Sequence, residues 1–245
     1  MPPIRKGDGT PVTPKGISQI RTGDGRILFD GPAIPDSDVY LHDDFDGGET
    51  DREDAVTFTY NGEEAFYRPE WSQEGGSGDI TGWDGSVNVG SITVYAADIN
   101  LNLSETVRWY WDVESLGGRL AMGLFAETSN AYIDAYAKLE NGYFVMDSGG
   151  DIRIIKHDTD GSRTDLITDD STFSGSRFYG VERDSEANWE LFATDETLEN
   201  PKSDLFDSDY SVGAASDDTY DSPAYIWMGD YDGDGGAEIN EVKSF

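Results

Sequence analysis

The residues best suited to chemistry lie near the end of the sequence, in a run of alternating acidic residues. The segment 230–235, Asp-Tyr-Asp-Gly-Asp-Gly, and the later Glu241 fit the pattern D-x-[DN]-x-[DN]-G-x5-E at every specified position. Carboxylates at this spacing wrap one hard cation, and the glycine permits the sharp turn between them. The sequence therefore predicts a cation site, with these candidate ligands: Asp230, Asp232, Asp234, the backbone carbonyl of Gly236, Glu238 and Glu241.

The cation expected here is Ca²⁺ rather than Mg²⁺, because the segment offers many flexible oxygens and no rigid octahedron. The residues before and after it are typical of strands, so Glu241 could lie on a strand and leave Glu238 as its rival. The alternative is an acidic hairpin turn without a cation. The sequence holds 33 Asp and 29 Gly, so chance matches to the pattern are not rare.

A second group of candidates lies on the clearest predicted strand, residues 106–114. Its apolar residues alternate with polar ones, which is typical of a strand with one buried face. If this strand neighbours the one predicted at 131–139, their polar faces form one surface of tyrosine rings and charged groups suited to sugar rings. That surface would contain Arg108, Tyr110, Asp112, Glu114, Tyr132, Asp134, Tyr136 and Lys138. The alternatives are a solvated sheet face and a face covered by a neighbouring subunit.

Asp112 and Glu114 also raise the possibility of glycoside hydrolysis, which needs two carboxylates about 5–9.5 Å apart. They share a strand face, but Tyr110 stands where the pattern E-x-D-x-E requires its first acid. A solvent-facing role explains them better, and neither His42 nor His157 lies in a nucleophile-elbow context. We therefore expect no enzymatic activity.

The net charge of −33 excludes several kinds of partner. Fifty acidic residues face 17 basic ones, so nucleic acid and anionic membrane surfaces would be repelled. The chain has no cysteine, which rules out disulfides and thiolate zinc sites. A domain with this net charge needs its repulsion screened by salt. The excess of Asp and the small number of Lys resemble the composition of proteins from extreme halophiles. A calcium-loaded acidic extracellular domain is the alternative.

The composition divides the chain into three parts. Residues 1–30 hold five basic and three acidic residues, unlike the rest, and repeat the motif Ile-Arg-x-Gly-Asp-Gly. Asp-Gly is a hairpin signal, so this part is predicted to form a short β-hairpin or extended docking segment. Residues 31–50 are predicted to be a linker, and residues 51–245 one β domain.

The main domain is predicted to be all-β. Alternating segments are separated by Gly-, Asn- and Asp-rich turns at spacings typical of a sandwich or barrel. Residues 194–222 are predicted to be a long surface loop with a weak strand near 210–212. Strands are predicted at 106–114, 119–126, 131–139, 143–146, 152–157, 178–183, 189–193, 225–228 and 239–245.

Five segments together resemble the concanavalin-like or laminin-G-like lectin fold. They are residues 107–114, 123–125, 178–183, 188–192 and 237–242, covering the Trp-bearing, adjacent and closing strands of that fold. The resemblance implies an antiparallel jelly-roll β-sandwich. It also implies glycan binding on the concave sheet or at the rim loops, often with calcium supporting the loops.

Residues 16–31 resemble the leading segment of structural proteins in tailed viruses of haloarchaea. This resemblance implies a virion surface protein, a tail fibre or capsid turret, made in a high-salt host cytoplasm. Its expected partners are other virion proteins through residues 1–30, a host-surface glycan or glycoprotein, and copies of itself in a trimer or pentamer. A glycoside hydrolase on the same fold and a purely structural decoration protein are the alternatives.

Overall fold

The computed structural model divides the chain into two compact units, Met1–Val39 and Tyr40–Phe245. In the first, β1 (Gln19–Arg21) and β2 (Ile27–Asp30) form an antiparallel hairpin, which confirms the predicted N-terminal β-hairpin. The structure describes residues 19–21, 27–30, 39–45, 56–67, 69–76, 80–82, 86–89, 93–116, 119–133, 137–170, 176–230 and 237–245.

The second unit begins earlier than the sequence indicated. Tyr40, Leu41 and Phe45 are buried in its hydrophobic core, and β3 (Leu41–Asp43) is a strand of its larger sheet. The predicted linker, 31–50, therefore includes a core strand. The short strand was missed because it lies among Gly, Pro and Asp residues and pairs with distant parts of the chain.

The second unit is a sandwich of two sheets. The larger sheet has the order β19-β18-β17-β10-β21-β3-β5-β4, with β8 beside β21 and β7 beside β8, and the smaller has the order β16-β15-β14-β11-β20-β9-β6. The remaining strands are β4 (Val56–Tyr60), β5 (Glu63–Tyr67), β6 (Ser72–Gly76), β7 (Ile80–Gly82), β8 (Val87–Val89), β9 (Thr93–Asp98), β10 (Val107–Leu116), β11 (Leu120–Ala126), β12 (Ala131–Ile133), β13 (Ala137–Leu139), β14 (Gly142–Asp147), β15 (Ile152–His157), β16 (Arg163–Asp169), β17 (Arg177–Arg183), β18 (Asn188–Thr194), β19 (Ser211–Ser216), β20 (Tyr225–Asp230) and β21 (Ala237–Ser244).

Among the strands that the structure describes, the pairing is antiparallel except between β3 and β5, which run parallel. The long-range pairs place β10 between β17 and β21, and β11 between β14 and β20. The predicted all-β jelly-roll β-sandwich is confirmed. Among the described residues, no helix is long and apolar enough to span a membrane.

The core between the sheets is rich in aromatic rings. The alternation predicted on β10 is confirmed, since Trp109 and Trp111 are at most 1% exposed. The Trp109 ring stacks on Trp189 at 5.9 Å and on Phe125 at 6.3 Å between centroids, which joins the two sheets. Burying rings of this size contributes much of the hydrophobic stabilisation of the sandwich.

Each sheet also buries apolar side chains on its outer face. On the smaller sheet, Trp227 packs against Phe144 at 5.1 Å, next to Leu139 of the β12–β13 hairpin. On the larger sheet, Tyr110 and Phe192 pack under Leu205. Leu205 follows helix α1 (Pro201–Asp204), and a 3₁₀ turn (Ser208–Tyr210) leads from there into β19.

Two predicted segments differ from the structure. Residues 131–139 form two short strands, β12 and β13, that pair with each other, instead of one strand. Residues 194–222 contain α1 and the 3₁₀ turn in place of part of the predicted loop, whereas the weak strand predicted near 210–212 is confirmed as β19. The strand β16 was missed because most of its side chains are exposed and give no apolar alternation.

Candidate functional site

The candidate site lies on the outer face of the larger sheet, where β10, β21 and β3 are neighbours. Because Trp111 and Val113 face the core, Asp112 points outward, directly opposite Glu241 of β21. We call His42, Asp112, Asn240, Glu241 and Lys243 the outer-face polar cluster.

Hydrogen bonds and ion pairs hold the cluster together. His42 Nε2 lies 2.7 Å from Glu241 Oε1, and Lys243 Nζ donates to the same oxygen at 2.6 Å. Asn240 Nδ2 donates to Asp112 Oδ1 at 3.4 Å. His42 is only 4% exposed, whereas the other four side chains are partly exposed. The cluster thus presents fixed donors and acceptors to solvent.

The two carboxylates of the cluster differ in acidity. Burial raises the pKa of Asp112 to about 6, and the charge of Glu241 adds to this effect. Burial would also raise the pKa of Glu241, but the hydrogen bonds from His42 and Lys243 outweigh it and lower that pKa below its ordinary value. Asp112 therefore takes up a proton in weak acid while Glu241 stays ionised.

Two of the residues predicted to bind ligand are used in packing instead. Tyr110 is 2% exposed and stacks against Phe178 at 6.1 Å between ring centroids. Arg108 forms an ion pair with Glu182 at 2.6 Å and lies over the Phe206 ring. The predicted open surface is wrong at Tyr110, because Leu205 after α1 covers its ring, whereas the Arg108 side chain stays partly exposed.

Asp112 and Glu114 do lie on the outer face as predicted, and Glu114 is exposed. Tyr132, by contrast, lies on β12, and neither β12 nor β13 pairs with β10. The predicted joint surface of the two strands is therefore wrong. Asp134 and Tyr136 lie outside the described residues, and Lys138 is buried.

The described members of the predicted calcium set do not share one side of the sandwich. Asp230 lies on the same face of β20 as Ile226 and Met228, which point into the core between the sheets. Glu241 faces outward beside Asp112, and Glu238 accepts from Ser86 Oγ at 2.7 Å. Asp232, Asp234 and Gly236 lie outside the described residues. Among the described residues, no three acidic or histidine side chains form a group that could hold a metal ion.

Sequence reasoning missed His42, Asn240 and Lys243 as members of the site. Lys243 is two residues after Glu241 on the predicted closing strand, so alternation could have placed it on the same face. Asn240 gave no such signal, because it reaches Asp112 through a register irregularity in the pairing of β10 with β21. His42 gave no signal, because it belonged to the predicted linker and is 199 residues away from Glu241 in sequence.

Comparison with known proteins gives structural neighbours but no sequence relatives. No family model and no curated protein matches the sequence. The carbohydrate binding module CBM66 from Bacillus subtilis has 9% identity and a TM-score of 0.47 over 71% of this chain and 94% of its own. The Emp46p carbohydrate recognition domain has 13% identity and a TM-score of 0.47, covering 71% and 87%.

The botulinum neurotoxin serotype D binding domain has 13% identity and a TM-score of 0.44 over 72% of this chain and 43% of its own. These structural neighbours are lectin-like β-sandwich domains. At such low identities and TM-scores, the function has to be inferred from the side chains of this chain itself.

Proposed function

We propose that the protein binds carbohydrate through the outer-face polar cluster. The observation that supports this most directly is the row formed by Asp112, Glu241 and Lys243 across two paired strands, partly buried and already oriented. Sugar hydroxyls both donate and accept hydrogen bonds. Carboxylate oxygens accept from them, and the Lys243 ammonium and Asn240 amide donate to them.

Preorganisation favours binding at this row. His42 and Lys243 hold Glu241 from two sides, so little side-chain freedom remains to be lost when a ligand arrives. Charge-assisted hydrogen bonds to Glu241 are also stronger than neutral ones. The net charge of −33 disfavours polyanionic glycans, so the ligand class is a neutral glycan.

Binding of a glycan array in molar NaCl tests this proposal. We expect Glu241→Gln and Lys243→Ala each to weaken binding of the retained neutral glycan about tenfold or more. Glu186→Gln is the matched control, because it removes one carboxylate from an exposed turn. Equal binding by all three variants, or no bound neutral glycan, would contradict the proposal.

Glycoside hydrolysis is the second candidate, and one observation favours it. Asp112 holds its proton to about pH 6 beside an ionised Glu241, an arrangement suited to a general acid and a nucleophile. Residues directly opposite in a sheet have Cβ atoms about 4.5–5.5 Å apart, and retaining hydrolases hold their carboxyls about 5–5.5 Å apart. Release of reducing sugar that is lost in Asp112→Asn would replace the binding proposal by this one.

We also propose that the protein is a virion surface appendage that docks through residues 1–30. The support is the contrast between five basic and three acidic residues in this part and the strongly acidic remainder, together with the division into two units. In this proposal the assembly is a trimer or pentamer, and the ligand is a host-surface glycan. A decoration protein that only strengthens a shell would dock equally well but bind no glycan.

Deletion of residues 1–30 tests the docking role. We expect the truncated protein to keep its near-UV circular dichroism and its glycan binding, but not to be incorporated into particles. Normal incorporation of the truncated protein would contradict the docking role without affecting the proposal on glycan binding.

A further inference from the structure

A cavity of about 220 Å³ opens on the smaller sheet, where β6, β9 and β20 lie side by side. It belongs to the sheet opposite the one that bears the outer-face polar cluster. Its described lining consists of Glu70, Ser72, Ala96, Ala97, Asp98 and Tyr225.

The strand register explains why a cavity forms here. Ala96 lies between Ser72 of β6 and Trp227 of β20, and Tyr225 lies opposite Asp98, two residues further along β9. The small Ala96 side chain leaves space beside the Tyr225 ring. Tyr225 packs against the apolar cluster of this outer face, which fixes one wall. The rim on the other side carries the exposed residues Glu70 and Ser72, which precede and begin the edge strand β6.

The lining combines an apolar surface with hydrogen-bonding groups at its rim. The Tyr225 ring and the Ala96 methyl suit the C–H face of a sugar ring, and Ser72, Asp98 and Glu70 can bind its hydroxyls. The volume is below the roughly 300–1,000 Å³ of common ligand pockets, so the space suits one ring. The described lining has two carboxylates and no basic side chain, which disfavours anionic sugars.

We propose that this cavity is a second carbohydrate subsite, which takes a single uncharged monosaccharide residue. It shares no residue with the outer-face polar cluster, and its occupancy does not depend on binding there. Together with the glycan binding proposed for that cluster, on which this step rests, sites on opposite sheets of one sandwich allow a single copy of the protein to contact two separate glycan chains. That arrangement gives avidity on a dense glycan surface.

Saturation-transfer NMR on the full chain in molar NaCl tests the subsite, with methyl glycosides of neutral hexoses as probes and N-acetylneuraminic acid as the anionic comparison. We expect signal transfer to at least one neutral probe and none to the anionic sugar. Tyr225→Ala should weaken binding about tenfold, whereas Tyr225→Phe should preserve it, because the ring face remains.

Ser72→Trp fills the cavity from the exposed edge strand and should abolish binding even if Tyr225→Ala fails to fold. Gln73→Trp is its matched control, because the next residue on the same strand faces away from the cavity. These measurements are made on the full chain carrying Glu241→Gln and Lys243→Ala, which removes binding at the outer-face polar cluster. In that background, signal that survives Ser72→Trp, or no transfer to any neutral probe, would overturn the subsite. A signal that is lost with Glu241→Gln and Lys243→Ala but does not respond to Ser72→Trp would belong to the outer-face polar cluster, so failure of one site is distinguishable from failure of the other.

Discussion

At the scale of single residues, Asp112 and Glu241 show how partners decide acidity. Both are partly buried carboxylates on paired strands, yet only Glu241 has a histidine and a lysine in contact. Strand alternation predicted that Asp112 faces outward, since it depends on local spacing alone. It could not predict the opposed Glu241, because pairing between strands so far apart in the sequence depends on the whole fold.

Asp112→Asn should stabilise the protein at pH 8. The folded pKa of about 6 lies above the ordinary 3.8, so ionising Asp112 costs free energy that appears as the pH rises from about 4 to 6. An amide avoids this cost and still accepts from Asn240. We expect calorimetry in molar NaCl to show a Tm increase of about 2–4 °C at pH 8 that vanishes near pH 3.5. A lower Tm at pH 8 would contradict the assignment, and Glu186→Gln serves as the exposed control.

At the scale of elements, glycine positions show where strands are packed most closely. A Cβ on Gly123 of β11 would lie 2.2 Å from Trp227 Cδ1, and Trp227 is fully buried. Gly123 therefore leaves the space that the Trp227 ring occupies.

Gly123→Ala should destabilise the fold by at least about 1–3 kcal/mol, because the buried indole has no space to move into. The denaturant midpoint measures the effect. Gly150→Ala is the matched control, because a Cβ there meets nothing within 4 Å. A Gly123→Ala variant with the midpoint of the control would show that the packing on Trp227 is looser than described.

The strands of the central sheets could be predicted because their apolar residues alternate. Residues 131–139 alternate as well, but the chain reverses between Ile133 and Ala137, and no pattern in the sequence distinguished the reversal from a straight strand. Tyr110 shows the corresponding limit for the site. Alternation predicted that Tyr110 points outward. It could not predict that Leu205 packs over the ring, because the segment that carries Leu205 shows no periodic spacing of apolar residues.

The segment between β20 and β21 connects the smaller sheet to the larger one. A cation bound within 230–236 would therefore join the ends of two strands that belong to different sheets. We expect chelation at constant ionic strength to lower Tm, since a ligand at 100 times its Kd stabilises by about 2.7 kcal/mol. The double variant Asp232→Asn, Asp234→Asn should remove this response. An unchanged Tm on chelation, with no heat of calcium binding, would assign the segment to solvated acidic turns.

At the scale of the whole molecule, the net charge of −33 opposes the compact state where salt does not screen it. Beyond residue 30 the chain has 47 acidic and 12 basic residues. Ion pairs such as Arg153–Asp165 and Lys156–Asp217 neutralise few of the acids. The repulsion between the remaining acids is long-ranged in dilute salt, whereas at 1 M salt the screening length falls to about 3 Å.

We expect dialysis from molar NaCl to about 10 mM to abolish the near-UV circular dichroism, as repulsion destabilises the compact state. Molar NaCl restored afterwards should restore the signal. A spectrum and Tm that stay constant across this range would show that the fold tolerates its own charge without screening.

The hydrogen bond from Tyr40 N to Ser244 O, 2.6 Å long, places the first residue of the sandwich beside its last strand. The chain path of the second unit is therefore closed, and residues 40 and 245 can be joined by a short linker. A circular permutant opened between the exposed Gly149 and Gly150 would retain every strand pair of both sheets. We expect the permutant to have the circular dichroism of the original chain, which would show that the fold tolerates both chain ends at the β14–β15 turn.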